Sequence, residues 1–167
     1  MRHDPVDPQL FVRNRERLRS LLKPNSIVII RSNDIMPTNA DGVMPHHQNA
    51  DLYYLSGVAQ EETVLVLMPD AVDEKEREIL FVKETSEHIA IWDGEKLSKE
   101  QARERTGIQR IEWVEGFDSW IHRLVPQVEH VYLTTNEHLR AAVVVETAKD
   151  RLIKECQARY PLHRYAR

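Results

Sequence analysis

The hydrophobic positions of this chain switch between a helical period and short continuous runs. Phe11, Leu18, Leu21 and Leu22 recur at helical spacing. Asp7-Pro8 just before them is a helix start, because an Asp side chain caps free amides and Pro is tolerated in the first turn. Pro24-Asn25 ends that helix. Ser26 to Arg31, with Ile-Val-Ile-Ile at its centre, is a β-branched run of the kind found in a strand buried on both faces. From Ser32 to Asn49 the chain turns polar for about eighteen residues. Connections that long are functional or disordered in compact domains. Ala50 to Leu55 is a short apolar segment, either a strand or one helical turn.

Thr63 to Met68 predicts a second buried strand and Glu78 to Val82 a third. The charged Asp70–Arg77 stretch between them reads as a hairpin-like connection. Glu84 to Trp92 is ambiguous in period and reads as helical. Ser98-Lys99-Glu100-Gln101 has the pattern of a capping box and opens a helix that Gly107 closes. Ile111 to Val114 is a short strand. Phe117, Ile121 and Leu124 mark another helix, stopped by Pro126. His130 to Thr134 is the next strand, and from about Asn136 to Tyr160 the pattern is helical until Pro161. Strands alternating with helices, with two strands apolar throughout, predict an α/β domain. Its mixed or largely parallel sheet is flanked by helices on both faces.

Composition narrows the partners. The 167 residues fit one domain, spanning 1–167, and such a chain buries enough surface to fold without a disulfide or metal staple. A net charge of −4 argues against nucleic acid or an anionic membrane as partner. The basic run Arg13, Arg15, Arg17 and Arg19 steps about 200° per pair around a helix, so it predicts a solvated helix rather than one stripe. Cys156 is the single cysteine, which fits a cytoplasmic setting. The polar start, Met1-Arg2-His3-Asp4-Pro5, is no signal peptide, and no run approaches membrane-spanning length.

The densest polar cluster is Pro45-His46-His47-Gln48-Asn49-Ala50-Asp51, followed by Tyr53, Tyr54 and Gly57. Asn49 or Asp51 is placed to cap the turn that follows. One of the two tyrosines is expected in the core with its hydroxyl paired, and the other at a groove or partner. His46 and His47 are adjacent and point apart on extended chain. A metal site from Asp41, His46, His47 and Asp51 is therefore the weaker reading beside turn and surface polar residues. Glu61-Glu62 and Asp73-Glu74 read as solvated carboxylates. No nucleophile elbow or phosphate loop occurs. Trp92, before the Asp93-Gly94 turn, serves either core packing or a contact.

Three blocks together resemble a known family. Gln48-Asn49-x-Asp51-x-x-Tyr54-Leu55-x-Gly57, then Val64-Leu65-Val66-Leu67, then Ile91-Trp92-x-Gly94 are similar in order and spacing to the N-terminal domain of the aminopeptidase P, prolidase and creatinase group. The resemblance is greatest to aminopeptidase P and covers nearly all of the chain. It implies a creatinase N-terminal-like (ribonuclease H-like) layer fold. It also implies a parent enzyme, an Xaa-Pro aminopeptidase, that removes the residue preceding proline. Its catalytic half would be a C-terminal pita-bread domain with two divalent metal ions, often manganese, held by two Asp, one His and two Glu. None of those motifs stands in this sequence, so no metal and no catalytic residue is expected within it. The chain looks like the non-catalytic half, either a cut piece or a free-standing binding and assembly module.

By the resemblance, Asp41 and Trp92 match positions at the substrate side or at a neighbouring subunit's active-site mouth. Gln48, Asn49, Asp51, Tyr54, Gly57 and Gly94 are fingerprint residues holding a turn and a core. The implied partners are the chain's own catalytic domain, further copies in a dimer or tetramer, and peptides with proline second. Departures from the family pattern are His47 in place of a common Arg, Gln60-Glu61 in place of Glu-Pro, and Glu95-Lys96 after Trp-x-Gly.

Overall fold

The computed structural model describes residues 6–39, 42–85, 96–135 and 145–166. Helix α1 (Pro8–Arg19) begins where Asp7 accepts a hydrogen bond from the Gln9 amide. It leads to strand β1 (Ser26–Arg31), the long loop, and helix α2 (Ala50–Ser56). Strands β2 (Val64–Leu67) and β3 (Glu78–Val82) follow, joined through a 3-10 turn at Glu74–Glu76. Helix α3 (Lys99–Thr106) carries the expected reciprocal capping box between Ser98 and Gln101. Then come β4 (Arg110–Trp113), α4 (Phe117–Leu124), β5 (His130–Leu133), α5 (Ala148–Arg159) and β6 (Arg164–Ala166).

The strands form one mixed six-stranded sheet in the order β4-β3-β2-β1-β5-β6. The pairs β1–β2 and β2–β3 are antiparallel, while β3–β4, β1–β5 and β5–β6 are parallel. In β1, Ile27 and Ile29 enter one core with Leu124 of α4 and Leu152 of α5. Val28 and Ile30 enter the other, with Leu52 of α2 and Ala102 of α3. Residues two apart on a strand share a face, so a run without polar interruption serves two cores at once.

One open alternative is decided and several expectations are corrected. The segment from Ala50 is a helix, since Asn49 caps it and Gly57 closes it in the left-handed region. Helix α1 ends at Arg19, and Leu21 beyond it is exposed. The last helix starts at Ala148, where Thr147 and Asp150 form a capping box. Residues 136–144 of the expected longer helix lie outside the described residues, as do residues 86–92 of the expected Glu84–Trp92 helix. Strand β6 has no forecast in the sequence pattern. It forms because Arg164, Tyr165 and Ala166 pair with His130, Val131 and Tyr132 of β5.

The basic run is not wholly solvated: the Arg15 side chain is 0% exposed. The spacing that spreads four arginines around a helix also puts Arg15 four residues after Phe11, on the buried face. Neither tyrosine enters the core, with Tyr53 at 44% and Tyr54 at 54% exposure. Leu52 and Leu55 take the inward positions of the short helix instead. Among the described residues, no helix is long and apolar enough to cross a membrane.

Candidate functional site

The fingerprint stretch is a turn tied to its surroundings by one polar residue after another. Gln48 donates from Nε2 to the carbonyls of Gln60 at 2.7 Å and Val58 at 3.2 Å, and its Oε1 accepts from the Asn49 amide at 2.7 Å. Asn49 caps α2 by accepting from the Asp51 amide at 3.0 Å, and its Nδ2 donates to the Arg31 carbonyl at the end of β1 at 2.9 Å. One side chain therefore starts the helix and fastens it to the central strand. Such a cap contributes about 1 kcal/mol. The Asp51 amide serves that cap, and the residue is otherwise exposed.

Gly57 ends the helix at φ 70°. A Cβ there would lie 2.3 Å from the Phe11 ring, so glycine is required by both backbone conformation and contact. Ser56 completes the turn by donating to the Leu52 carbonyl and accepting from the Val58 amide. The same device closes α3, where Thr106 bonds to the Ala102 carbonyl and the Ile108 amide, and Gly107 stands at φ 74°. Arg15 sits between these two helix ends. Its guanidinium donates to the Leu55 carbonyl at 2.8 Å, the Thr106 carbonyl at 2.9 Å and Glu78 at 3.0 Å. A cation at helix C-termini meets the negative ends of both dipoles. Burial lowers the Arg15 pKa, and the Glu78 carboxylate opposes that shift.

The turn also holds the segment entering α3. Gln60 Oε1 accepts from the Leu97 amide at 2.8 Å, and Glu61 pairs with Lys96. Glu61 is therefore not simply solvated. Burial raises its pKa, but the Lys96 and backbone hydrogen bonds outweigh that, and the carboxyl titrates below its usual range. The other end of the polar loop is anchored by Asp34, which accepts from the Ala148 amide and from Arg151, each at 2.7 Å.

The structure thus assembles Gln48, Asn49, Asp51, Tyr54 and Gly57 around α2. Tyr54 contributes its carbonyl, which accepts from Asn14 at 2.7 Å. Asp41, Trp92 and Gly94 lie outside the described residues. Between its polar ends the loop doubles back, with Pro37 bridged to Val43 and the Met44 amide donating to the Met36 carbonyl at 2.8 Å. Ile35, Met36, Val43 and Met44 on this arm are all exposed, Val43 at 61%. His47 is exposed, and His46 is half-buried with both ring nitrogens shielded and unpartnered. Among the described residues no three His, Cys, Asp or Glu side chains gather to hold a metal ion. The described residues therefore do not fit a dimetal centre.

Sequence reasoning missed Arg15 and the Glu61–Lys96 pair. The signal for Arg15 was its position on the apolar stripe of α1. No sequence signal marks a pair 35 residues apart.

Comparison with known proteins agrees with this geometry. Residues 11–132 match the family model for the aminopeptidase P N-terminal domain. The chain belongs to that family. It is 28% identical over 149 residues to the Xaa-Pro aminopeptidase of Escherichia coli, covering 89% of this chain and 34% of that protein. The Xaa-Pro aminopeptidase of Haemophilus influenzae is 22% identical over 128 residues, covering 77% and 29%. The chain spans about a third of the length of these curated relatives. A solved structure from Bacillus anthracis, described as an aminopeptidase P, superposes with a TM-score of 0.82 at 22% identity, covering 96% of this chain and 38% of that one. Zinc-substituted E. coli aminopeptidase P with product superposes at 0.73 and 25% identity, covering 98% and 36%. The mixed sheet flanked by helices is thus the α/β fold of the aminopeptidase P N-terminal domain.

Proposed function

We propose that this chain serves as the non-catalytic N-terminal domain of a cytoplasmic Xaa-Pro aminopeptidase. The parent hydrolyses the bond between an N-terminal residue and a following proline. Its catalytic domain holds two divalent metal ions, manganese the expected pair, and the domain described here is inactive alone. Its role is to dock on that catalytic domain, help assemble copies into a dimer or tetramer, and shape the substrate cleft. Asp41 and Trp92 are the residues proposed to face substrate or a neighbouring subunit's cleft.

The observation that carries this reading is the doubled-back arm on which Pro37 is bridged to Val43. Four exposed apolar side chains on one short arm mark a surface made for contact rather than for solvent. The rigid base supports the same reading, since Asn49, Asp34 and Gln48 fasten both ends of the loop. Sedimentation velocity tests it. The chain is expected to self-associate at micromolar concentration, and paired Val43→Glu and Met44→Glu changes are expected to return it to monomer. Unchanged association in the paired variant, or a monomer throughout, would remove the arm from the assembly role.

A further inference from the structure

A second concave surface lies at α1 and α2. A cavity of about 620 Å³ opens over Val28 and Ile30 of β1, beside the C-terminal end of β5. Leu18, Leu22 and Leu55 form its apolar walls. The volume falls within the range of about 300–1,000 Å³ typical of small-molecule sites.

The charges on the walls define the ligand. Arg17 projects from α1 and Asp51 from α2, and both line the cavity. Among the described residues neither side chain has an ion pair or a hydrogen bond. Their neighbours are already engaged: Asn14 donates to the Tyr54 carbonyl, and the Tyr132 hydroxyl accepts from the Lys23 amide. An apolar cavity with one free cation and one free anion complements a molecule with an apolar body and two charged ends. The guanidinium suits a carboxylate, which it holds with two parallel hydrogen bonds. The Asp51 carboxylate suits an ammonium. The cavity is larger than one amino-acid side chain fills, so two or more residues fit.

We propose that this cavity binds a short apolar peptide by its free amino and carboxyl ends. The inference goes beyond the proposed function and does not depend on it, because it concerns binding by this chain without any catalytic partner.

Amide-shift titration of the ¹⁵N-labelled chain with the dipeptide Leu-Leu tests it, with N-acetyl-Leu-Leu-amide as the uncharged control. Saturable shifts are expected at Leu18, Leu22, Ile30 and Tyr54. Arg17→Gln and Asp51→Asn should each weaken binding on the order of tenfold, the loss of one charge-assisted contact, and the capped dipeptide, which loses both, on the order of a hundredfold. Leu21 is 75% exposed at the rim, so Leu21→Asp retains the fold and should also weaken binding. Three results would overturn the proposal. One is no saturable shift at low-millimolar peptide; another is equal binding of the capped form. The third is shifts that follow protein concentration alone, which would give the cavity to a second copy of the chain.

Discussion

The buried guanidinium of Arg15 donates to the carbonyl of Leu55 at 2.8 Å, so the first helix holds the end of the fingerprint helix directly. The same group reaches Thr106 and Glu78. Arg15→Met is expected to leave two helix-end carbonyls without their donor and the half-buried Glu78 carboxylate with Arg19 as its remaining cation. Removing one partner of a buried pair costs about 3–5 kcal/mol, and urea denaturation should show a loss of that size. Arg15→Lys should recover only part of it, because a single ammonium cannot copy a three-way planar fork.

Gly57 and Gly107 close two helices by the same device but under different pressure. An alanine at Gly57 would meet the Phe11 ring at 2.3 Å, whereas one at Gly107 would meet a Val12 methyl group at 2.8 Å. Both positions carry the left-handed backbone, which costs a non-glycine residue about 1–2 kcal/mol. Gly57→Ala adds overpacking against a ring in the core, for a total of about 3 kcal/mol. Thermal denaturation should rank Gly57→Ala as clearly less stable than Gly107→Ala. Equal losses would mean that Phe11 moves aside freely.

Much of this architecture is legible in the residues. The Ile27–Ile30 run names the central strand because it must serve two cores, and Ser98 with Gln101 names the start of α3 through local chemistry alone. The short helix α2 is ambiguous by period, since seven residues complete fewer than two turns. Its caps decide it, and which residue caps is settled only once Asn49 is seen to accept from the Asp51 amide. Strand β6 is illegible because its identity comes from pairing with β5, not from its own Arg-Tyr-Ala sequence. The polar fingerprint was legible as a cluster. Its links to Gln60, Leu97 and Lys96 were not, because they join residues far apart in the chain.

The C-terminal packing should respond to alkaline pH. Burial pushes the Cys156 thiol from 9.0 up to about 11 and the Tyr165 hydroxyl from 10.0 up to about 12. Both groups are neutral when protonated, so the fold favours the protonated forms. Their contribution to stability is fully present below the unfolded values and is lost as pH rises through the folded ones. Urea midpoints are therefore expected to fall between about pH 9 and pH 12. Tyr165→Phe should flatten the upper part of that fall. It should also lower stability at pH 7, because the hydroxyl donates to the carbonyls of Cys156 and Tyr160.

The proposal that this domain works within an Xaa-Pro aminopeptidase is tested most directly by the steady-state kinetics of the whole polypeptide encoded by its gene. The measurement is release of the N-terminal residue from a peptide with proline second, in the presence of Mn²⁺, for the wild type and for Asp41→Asn. Turnover by the wild type and a raised KM in the variant are expected. Absence of turnover by the whole gene product would contradict the enzyme reading, and identical kinetics in the two proteins would contradict a role for Asp41 at the substrate.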